Sequence, residues 1–266
     1  MAEEVTRARG ARYVITCIGV GLLAGLMSGL FGVGGGTVIV PLLVLVLGFD
    51  QRLAAGTSLG AIVPTASVGV ISYALNDSVA WIPALILAGG AVIGAQIGTA
   101  LLARLSQTVL RWGFVGFLGV VIVTLFIVIP SRDAVLELTW WTGLGLIALG
   151  LVTGVLAGLL GVGGGIIVVP ALIFLFGTSD LVAKGTSLLM MIPTALSGTI
   201  GNIRRHNIDL VAAGIVGLAA ITTTALGAWI AVRVDPQVGN ILFAAFLVFI
   251  AVQMAIKAIR GRKSAR

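Results

Sequence analysis

Charge is what this sequence has least of. Lys, Arg, Asp and Glu make up 9% of its 266 residues, whereas about 25% of a soluble domain is charged. Because charged side chains are almost never fully buried, so few could not cover the surface of a soluble fold of this size. With 59% hydrophobic residues and a mean hydropathy of +1.20, the chain also has too much apolar surface to stay disordered. With a soluble fold and a disordered chain both excluded, the composition predicts an integral membrane protein.

Reactive side chains are equally scarce. The chain has one cysteine and one histidine, and Cys17 lies inside an apolar run with no partner for an intramolecular disulfide. The sequence has no paired carboxylates, no metal-spaced His and Cys residues and no Ser–His–Asp arrangement, so we expect no enzyme, metal or cofactor. The net charge of +7 comes from residues at the termini and between apolar runs, which excludes a nucleic-acid-binding face.

Ten apolar runs fill the chain. Most have the length of about 20 residues that a helix needs to cross the hydrocarbon core. The runs at 36–49 and 165–177 are too short, since a helix rises only about 1.5 Å per residue. The predicted fold class is therefore an all-α polytopic membrane protein with broken or re-entrant half-helices. The remaining runs are 12–31, 53–75, 79–103, 109–130, 140–160, 181–203, 208–232 and 238–258.

The chain is internally duplicated at one constant offset. Over 25–69 against 154–198, 21 of 45 positions are identical, and the Gly-Val-Gly-Gly-Gly motif at 32–36 falls on the same motif at 161–165. We expect two tandem transmembrane repeats that pack as one membrane domain. Their predicted bounds are 12–130 and 140–258, with a linker at 131–139.

Each repeat holds five apolar segments, and an odd number inverts the second repeat relative to the first. With the N-terminus in the cytoplasm, 13 of the 16 Lys and Arg residues lie on the cytoplasmic side. An eight-span model with parallel repeats places only 11 there, so the positive-inside rule favours inverted repeats. This topology predicts a multi-pass protein of the inner (cytoplasmic) membrane with both termini in the cytoplasm.

The two glycine motifs are the first candidate binding site. Each separates a full-length apolar run from a short one, and the half-helix that follows would begin with free N–H groups and a positive dipole end. Such helix starts bind anions. The alternative is that the glycines only let helices pack closely, whereas a nucleotide-binding P-loop is excluded because no Lys-Ser or Lys-Thr follows. The predicted substrate-binding glycines are Gly34, Gly35, Gly36, Gly163, Gly164 and Gly165.

Hydroxyls and prolines follow each glycine motif in the same order. Hydroxyl groups are neutral ligands for an anion in a dry site, or else they cap helices, and both interpretations remain open. A proline frees a carbonyl, which indicates either a gating turn or a simple kink. The hydroxyl candidates are Thr57, Ser58, Thr186 and Ser187, and the prolines are Pro41, Pro64, Pro170 and Pro193.

Two candidates break the duplication. Lys184 stands where the first repeat has Ala55, and Asn202 stands where it has Tyr73. A cation within the membrane is a candidate for substrate binding. The alternative is an exposed loop pair with Asp180, four residues earlier. Differences of this kind are where we expect substrate choice to reside.

Together, these motifs resemble those of the sulfite exporter TauE/SafE family of membrane transporters. The resemblance covers about residues 12–258 and rests on the duplicated glycine motif, each copy followed by Val-Pro and then by Gly-Thr-Ser. It implies a polytopic inner-membrane permease for sulfur-containing anions such as sulfite, sulfonates and sulfoacetate.

The residues and the resemblance predict a secondary transporter that moves a small anion by alternating access of its two repeats. The predicted partners are the anion, a coupling ion (a proton or sodium), the lipid bilayer and, as an option, a second copy in a homodimer. Two alternatives stay open. One is an anion channel, and the other is a non-transporting membrane scaffold subunit.

Cysteine labelling tests the predicted topology. A cysteine placed within 76–78 or within 131–133 should react with a membrane-impermeant reagent added outside, because both segments are predicted to face away from the cytoplasm. Labelling of both positions only from the cytoplasmic side would contradict inverted repeats.

Overall fold

A computed structural model describes residues 10–127 and 138–263. Within these ranges the chain forms ten α-helices and no strand, and eight of the helices are long and apolar enough to span a membrane. The all-α polytopic fold is therefore confirmed. The helices are α1 (Ala11–Phe31), α2 (Gly36–Val46), α3 (Gln51–Ala74), α4 (Trp81–Arg104), α5 (Gln107–Ile127), α6 (Trp140–Leu160), α7 (Gly165–Phe176), α8 (Asp180–Arg204), α9 (Leu210–Arg233) and α10 (Pro236–Lys263).

The short helices α2 and α7 confirm the two predicted half-helices, and each doubles back along its predecessor. A Cβ atom at Gly35 would lie 2.9 Å from the carbonyl oxygen of Ala24, in the middle of α1. The end of α2 then lines a cleft with Tyr13, near the start of α1. In the second half, Gly164 lies close to the carbonyl oxygen of Thr153 on α6 in the same way. The chain thus forms two re-entrant helix pairs.

Helices of the two halves cross-pack at glycines. A Cβ atom at Gly25 of α1 would overlap the carbonyl oxygen of Ala220 on α9. The corresponding atom at Gly154 of α6 would overlap the carbonyl oxygen of Ala91 on α4, which is the same contact made by the duplicated positions of both partners. Such small residues let membrane helices approach backbone to backbone. The first helix of each half is thereby held by the fourth helix of the other.

The centre of the protein is formed by α3 and α8, which pack against each other and carry buried Ile62 and Met191. In contrast, α5 and α10 contact each other and bury less of their surface. Both re-entrant pairs face this central pair of helices. Of the predicted linker 131–139, residues 131–137 lie outside the described residues.

Adding one methyl group tests the cross-packing. Gly25→Ala should lower the free energy of unfolding by about 1–3 kcal/mol, because the new Cβ overlaps a backbone atom that cannot move aside. Gly19→Ala, on the same helix with open space around its Cβ position, is the matched control and should leave stability unchanged. Thermal unfolding in detergent measures both. Equal melting temperatures for the two variants would contradict the close contact.

Candidate functional site

The two glycine motifs lie against each other in antiparallel directions. A Cβ atom at Gly36, which begins α2, would lie 2.6 Å from the carbonyl oxygen of Gly161, the first residue of the second motif. Reciprocally, a Cβ atom at Gly165, which begins α7, would lie 2.6 Å from the carbonyl oxygen of Gly32. Both motifs are buried. The structure therefore brings the six predicted glycines together in one place.

One side chain contacts the middle of both motifs. A Cβ atom at Gly34 or at Gly163 would overlap the terminal methyl group of Met191, which is fully buried. These glycines have φ angles of +69° and +77°, in the left-handed region that other residues rarely adopt. Glycine is thus required at these turns by backbone conformation, and a Cβ atom there would in addition displace the Met191 methyl group.

The backbone N–H groups of the turns are unused. No acceptor among the described residues pairs with the N–H groups of the six predicted glycines, and neither α2 nor α7 has a side-chain N-cap. Buried N–H groups without acceptors are rare and costly. Because they lie at the starts of two half-helices, they add to the positive dipole ends. The region is thus suited to a negatively charged ligand.

The serines of the Gly-Thr-Ser motifs join the two halves. Ser58 Oγ donates to the carbonyl oxygen of Gly161 at 2.7 Å, and Ser187 Oγ donates to that of Gly32 at 2.8 Å. Each serine lies on the second helix after one glycine turn and pairs with the first carbonyl of the other turn. Their hydroxyls thus satisfy the Gly161 and Gly32 carbonyls.

The threonines bind N–H groups across the same boundary. Thr57 Oγ1 accepts from the backbone N–H of Asp209 at 3.0 Å, and Thr186 Oγ1 accepts from that of Ala80 at 2.9 Å. Asp209 and Ala80 are the N-cap residues of α9 and α4. All four predicted hydroxyls therefore cap helix ends in the opposite half. Their role as substrate ligands stays a prediction.

Lys184 forms the expected pair with Asp180, but the pair does not lie in an exposed loop. Both residues belong to the start of α8, with Nζ and Oδ2 3.2 Å apart and only 13% and 2% of the two side chains exposed. The backbone of Lys184 packs against Gly32, because a Cβ there would lie 2.6 Å from the Cα of Lys184. A predicted site residue is thereby placed beside the first turn.

Asn202 lies away from the glycine turns. It is fully buried in the last turn of α8, where its Nδ2 donates to the carbonyl oxygen of Gly198 at 3.0 Å. Its Oδ1 has no partner among the described residues. The neighbour is Gly56, whose Cβ position is 3.1 Å from the Asn202 side chain. Asn202 therefore lies next to Gly56, the neighbour of Thr57 in the chain, and not at the glycine turns.

The prolines all lie inside continuous helices, so none marks an unwound turn. Pro41 and Pro170 lie within α2 and α7, and Pro64 and Pro193 within α3 and α8. The threonine after each of the latter two prolines returns its hydroxyl to a carbonyl four residues back, at 2.8 Å. Hydroxyls commonly satisfy backbone groups near membrane prolines in this way. A gating role stays a prediction.

Comparison with known proteins agrees with this architecture. The family model "Sulfite exporter TauE/SafE" matches residues 3–125 and 146–266, which is nearly the whole chain. The chain belongs to the TauE/SafE family. It is 31% identical to a "Probable membrane transporter protein" of Xylella fastidiosa (strain 9a5c), over 83% of this chain and 85% of the relative.

Other TauE/SafE relatives span bacteria and plants. "Probable membrane transporter protein YdhB" of Bacillus subtilis is 28% identical over 71% of this chain and 78% of its own. "Sulfite exporter TauE/SafE family protein 3" of Arabidopsis thaliana is 33% identical over 37% of this chain and 20% of its own. No solved structure matches the chain. The protein is thus a multi-pass member of a family of membrane transporters.

Two polar residues near the first turn of this TauE/SafE protein were missed by the sequence reasoning. Ser28 Oγ, on α1, and Thr37 Oγ1, at the start of α2, are buried with no hydrogen-bond partner among the described residues. Ser28 is one helical turn beyond Ala24, which Gly35 contacts. The internal duplication could have revealed these two residues, because the second half has the apolar Ala157 and Ile166 at the corresponding positions. The first turn is therefore the more polar of the two.

The serine bonds can be tested by deletion. Ser58→Ala and Ser187→Ala should each lower the free energy of unfolding by about 1 kcal/mol, because a buried carbonyl loses its partner. Ser72→Ala is the control, since that hydroxyl pairs within its own helix. Thermal unfolding in detergent is the measurement. Losses no larger than that of Ser72→Ala would show that the serines do not join the halves.

Proposed function

We propose that this protein is a secondary transporter that moves a small anion across the membrane through the two glycine turns. The observation that carries the proposal is the set of unused N–H groups at two touching helix breaks inside the protein. Breaking a helix at membrane depth has a free-energy cost that an ordinary structural helix avoids. A substrate that accepts hydrogen bonds from those N–H groups would offset this cost, as in transporters that bind substrate at broken helices.

The preference for an anion follows from the partial charges. Both half-helices point their N-terminal ends at the contact between the turns, while the Gly161 and Gly32 carbonyls are already paired with Ser58 and Ser187. The unpaired hydroxyls of Ser28 and Thr37 add donors at the first turn. Lys184, whose ammonium group is paired with Asp180, also lies beside Gly32.

A sulfur-containing anion, such as sulfite or an organosulfonate, is the proposed substrate. The family model and the Arabidopsis relative carry the name sulfite exporter. A sulfite or sulfonate group presents three acceptor oxygens, which suits a site with several N–H and hydroxyl donors. Asn202 and the hydroxyls of Thr57 and Thr186 lie further along the same interface between the halves.

Alternating access is the proposed mechanism, with the repeats 12–130 and 140–258 as the moving units and 131–139 as the linker. Contacts between the halves recur at corresponding positions of both partners, as expected of two repeats related by a two-fold axis. The four hydrogen bonds that the Thr57, Ser58, Thr186 and Ser187 hydroxyls make between the halves would break and re-form as the repeats move. We further infer an inner-membrane location with both termini in the cytoplasm.

Export requires little external energy. The sequence has no nucleotide-binding motif, so the driving force would be a gradient or the membrane potential. An inside-negative potential favours the exit of one negative charge by about 2.3 kcal/mol per 100 mV. A coupled proton or sodium ion would change the free energy of export. A homodimer is compatible with this mechanism.

Replacement of the turn glycines tests the function. In proteoliposomes, uptake of sulfite, sulfoacetate or sulfate should saturate with concentration, and Gly35→Leu or Gly164→Leu should reduce it to the level of protein-free vesicles. Both substitutions strain a positive φ, and the new side chains would press on Ala24 of α1 or on Met190 of α8 beside the turns. Gly48→Leu is the matched control, because Gly48 also has a positive φ of +72° but open space around it.

Each other outcome has a distinct meaning. Flux that never saturates would indicate an anion channel, whereas no flux of any anion by the correctly inserted wild-type protein would indicate a scaffold subunit. Full flux in Gly35→Leu would contradict the location of the site.

A further inference from the structure

Backbone closes most sides of the contact between the two glycine turns. The turns lie against each other where the half-helices begin, at Gly36 and at Gly165. Behind them, Gly35 lies against α1 and Gly164 lies close to α6. The side that remains is the one toward the central helices α3 and α8, so a ligand held by the turns would meet side chains of these two helices.

Two corresponding side chains occupy that remaining side. A Cβ atom at Gly34 or at Gly163 would overlap the terminal methyl group of Met191, from α8. The same two Cβ positions are 3.3 Å from Cγ2 and 2.9 Å from Cδ1 of Ile62, from α3. Both side chains are fully buried, and their positions match in the duplication. Each half thus places one apolar side chain against the middle of both turns.

The two side chains differ in shape and in freedom of rotation. Ile62 is β-branched, so its rotamer is fixed within a helix. Met191 is longer and unbranched, and such a side chain adapts to the space around it. Its sulfur lies 3.9 Å from Ser187 Oγ, the hydroxyl that donates to the Gly32 carbonyl. The space beside the turns therefore depends on the length of the Met191 side chain.

We propose that Met191 is a specificity-determining residue, which limits the size of the substituent on the transported anion. This inference rests on the proposed anion site. A sulfo group that accepts hydrogen bonds from the turns would direct its substituent toward Met191, because backbone closes the other sides. The substrate class is thereby narrowed to sulfite and sulfonates with a short substituent, since a longer alkyl chain would overlap the Met191 side chain.

Binding of a series of anions with one head group tests this limit. Calorimetry on the purified full chain in nanodiscs would compare sulfite, methanesulfonate and butane-1-sulfonate, and empty nanodiscs would correct for partition into lipid. The wild-type protein should bind butane-1-sulfonate at least about tenfold more weakly than methanesulfonate, because a single methylene group can change binding in an apolar pocket by that factor.

Truncation of Met191 should remove the limit. Met191→Ala deletes Cγ, Sδ and Cε, which matches the extra length of butane-1-sulfonate over methanesulfonate. This variant should bind butane-1-sulfonate about tenfold more tightly than the wild-type protein does, with methanesulfonate binding unchanged. Met191→Val leaves a smaller cavity, so it should fold even where Met191→Ala does not, and it should show an intermediate gain. Met191→Leu conserves volume and should keep the wild-type selectivity.

The same deletion on another helix is the matched control. Met254 is buried on α10, and Met254→Ala should leave the binding of both sulfonates unchanged. Unaltered selectivity in both Met191→Ala and Met191→Val, or an equal gain in Met254→Ala, would overturn the size limit while leaving the anion site intact. Equal binding of the two sulfonates by the wild-type protein would do the same. If the wild-type protein binds none of the three anions, the anion site itself is refuted and the size limit falls with it.

Discussion

The structure depends on one constraint, which is that every broken backbone hydrogen bond inside a membrane needs protein or water around it. Two helices are broken here, at Gly32–Gly36 and at Gly161–Gly165. Each break is covered by the other, and the Gly32 and Gly161 carbonyls are paired with serines from the opposite half. The N–H groups of the motif glycines and the hydroxyls of Ser28 and Thr37 have no partner among the described residues, so donor groups collect around the contact between the two turns.

The duplication explains how this arrangement is achieved. A single half could not cover its own turn, because the covering glycines, Ser58 and Ser187 all act on the opposite half. The cross-packing of α1 on α9 and of α6 on α4 then brings the halves close enough for these short hydroxyl groups to reach. Differences between the halves, at Ser28, Thr37 and Lys184, give one turn a distinct chemistry within a shared frame.

The sequence alone predicted the ten helices, the two half-helices and the contact between the glycine motifs. These features follow from the lengths of the apolar runs and from the constant offset between the repeats, both of which can be read directly from the sequence. It could not assign the partners of Thr57 or Ser58, since these bonds join residues far apart in the chain. Ser28 and Thr37 were missed because an isolated hydroxyl in a membrane helix usually bonds a nearby carbonyl, as Thr65 does. For Lys184, the spacing to Asp180 indicated the pair but not its burial.

The mutual cover of the two turns also bears on how the chain is made. Gly32 leaves the ribosome long before Gly161, so the first turn is made while the second half that covers it is still unsynthesised. Until then, the N–H groups of Gly34, Gly35 and Gly36 can be solvated only by water or by the insertion machinery. Biogenesis of this protein therefore includes a stage in which the first turn lacks the glycines and the serine of the second half that cover it.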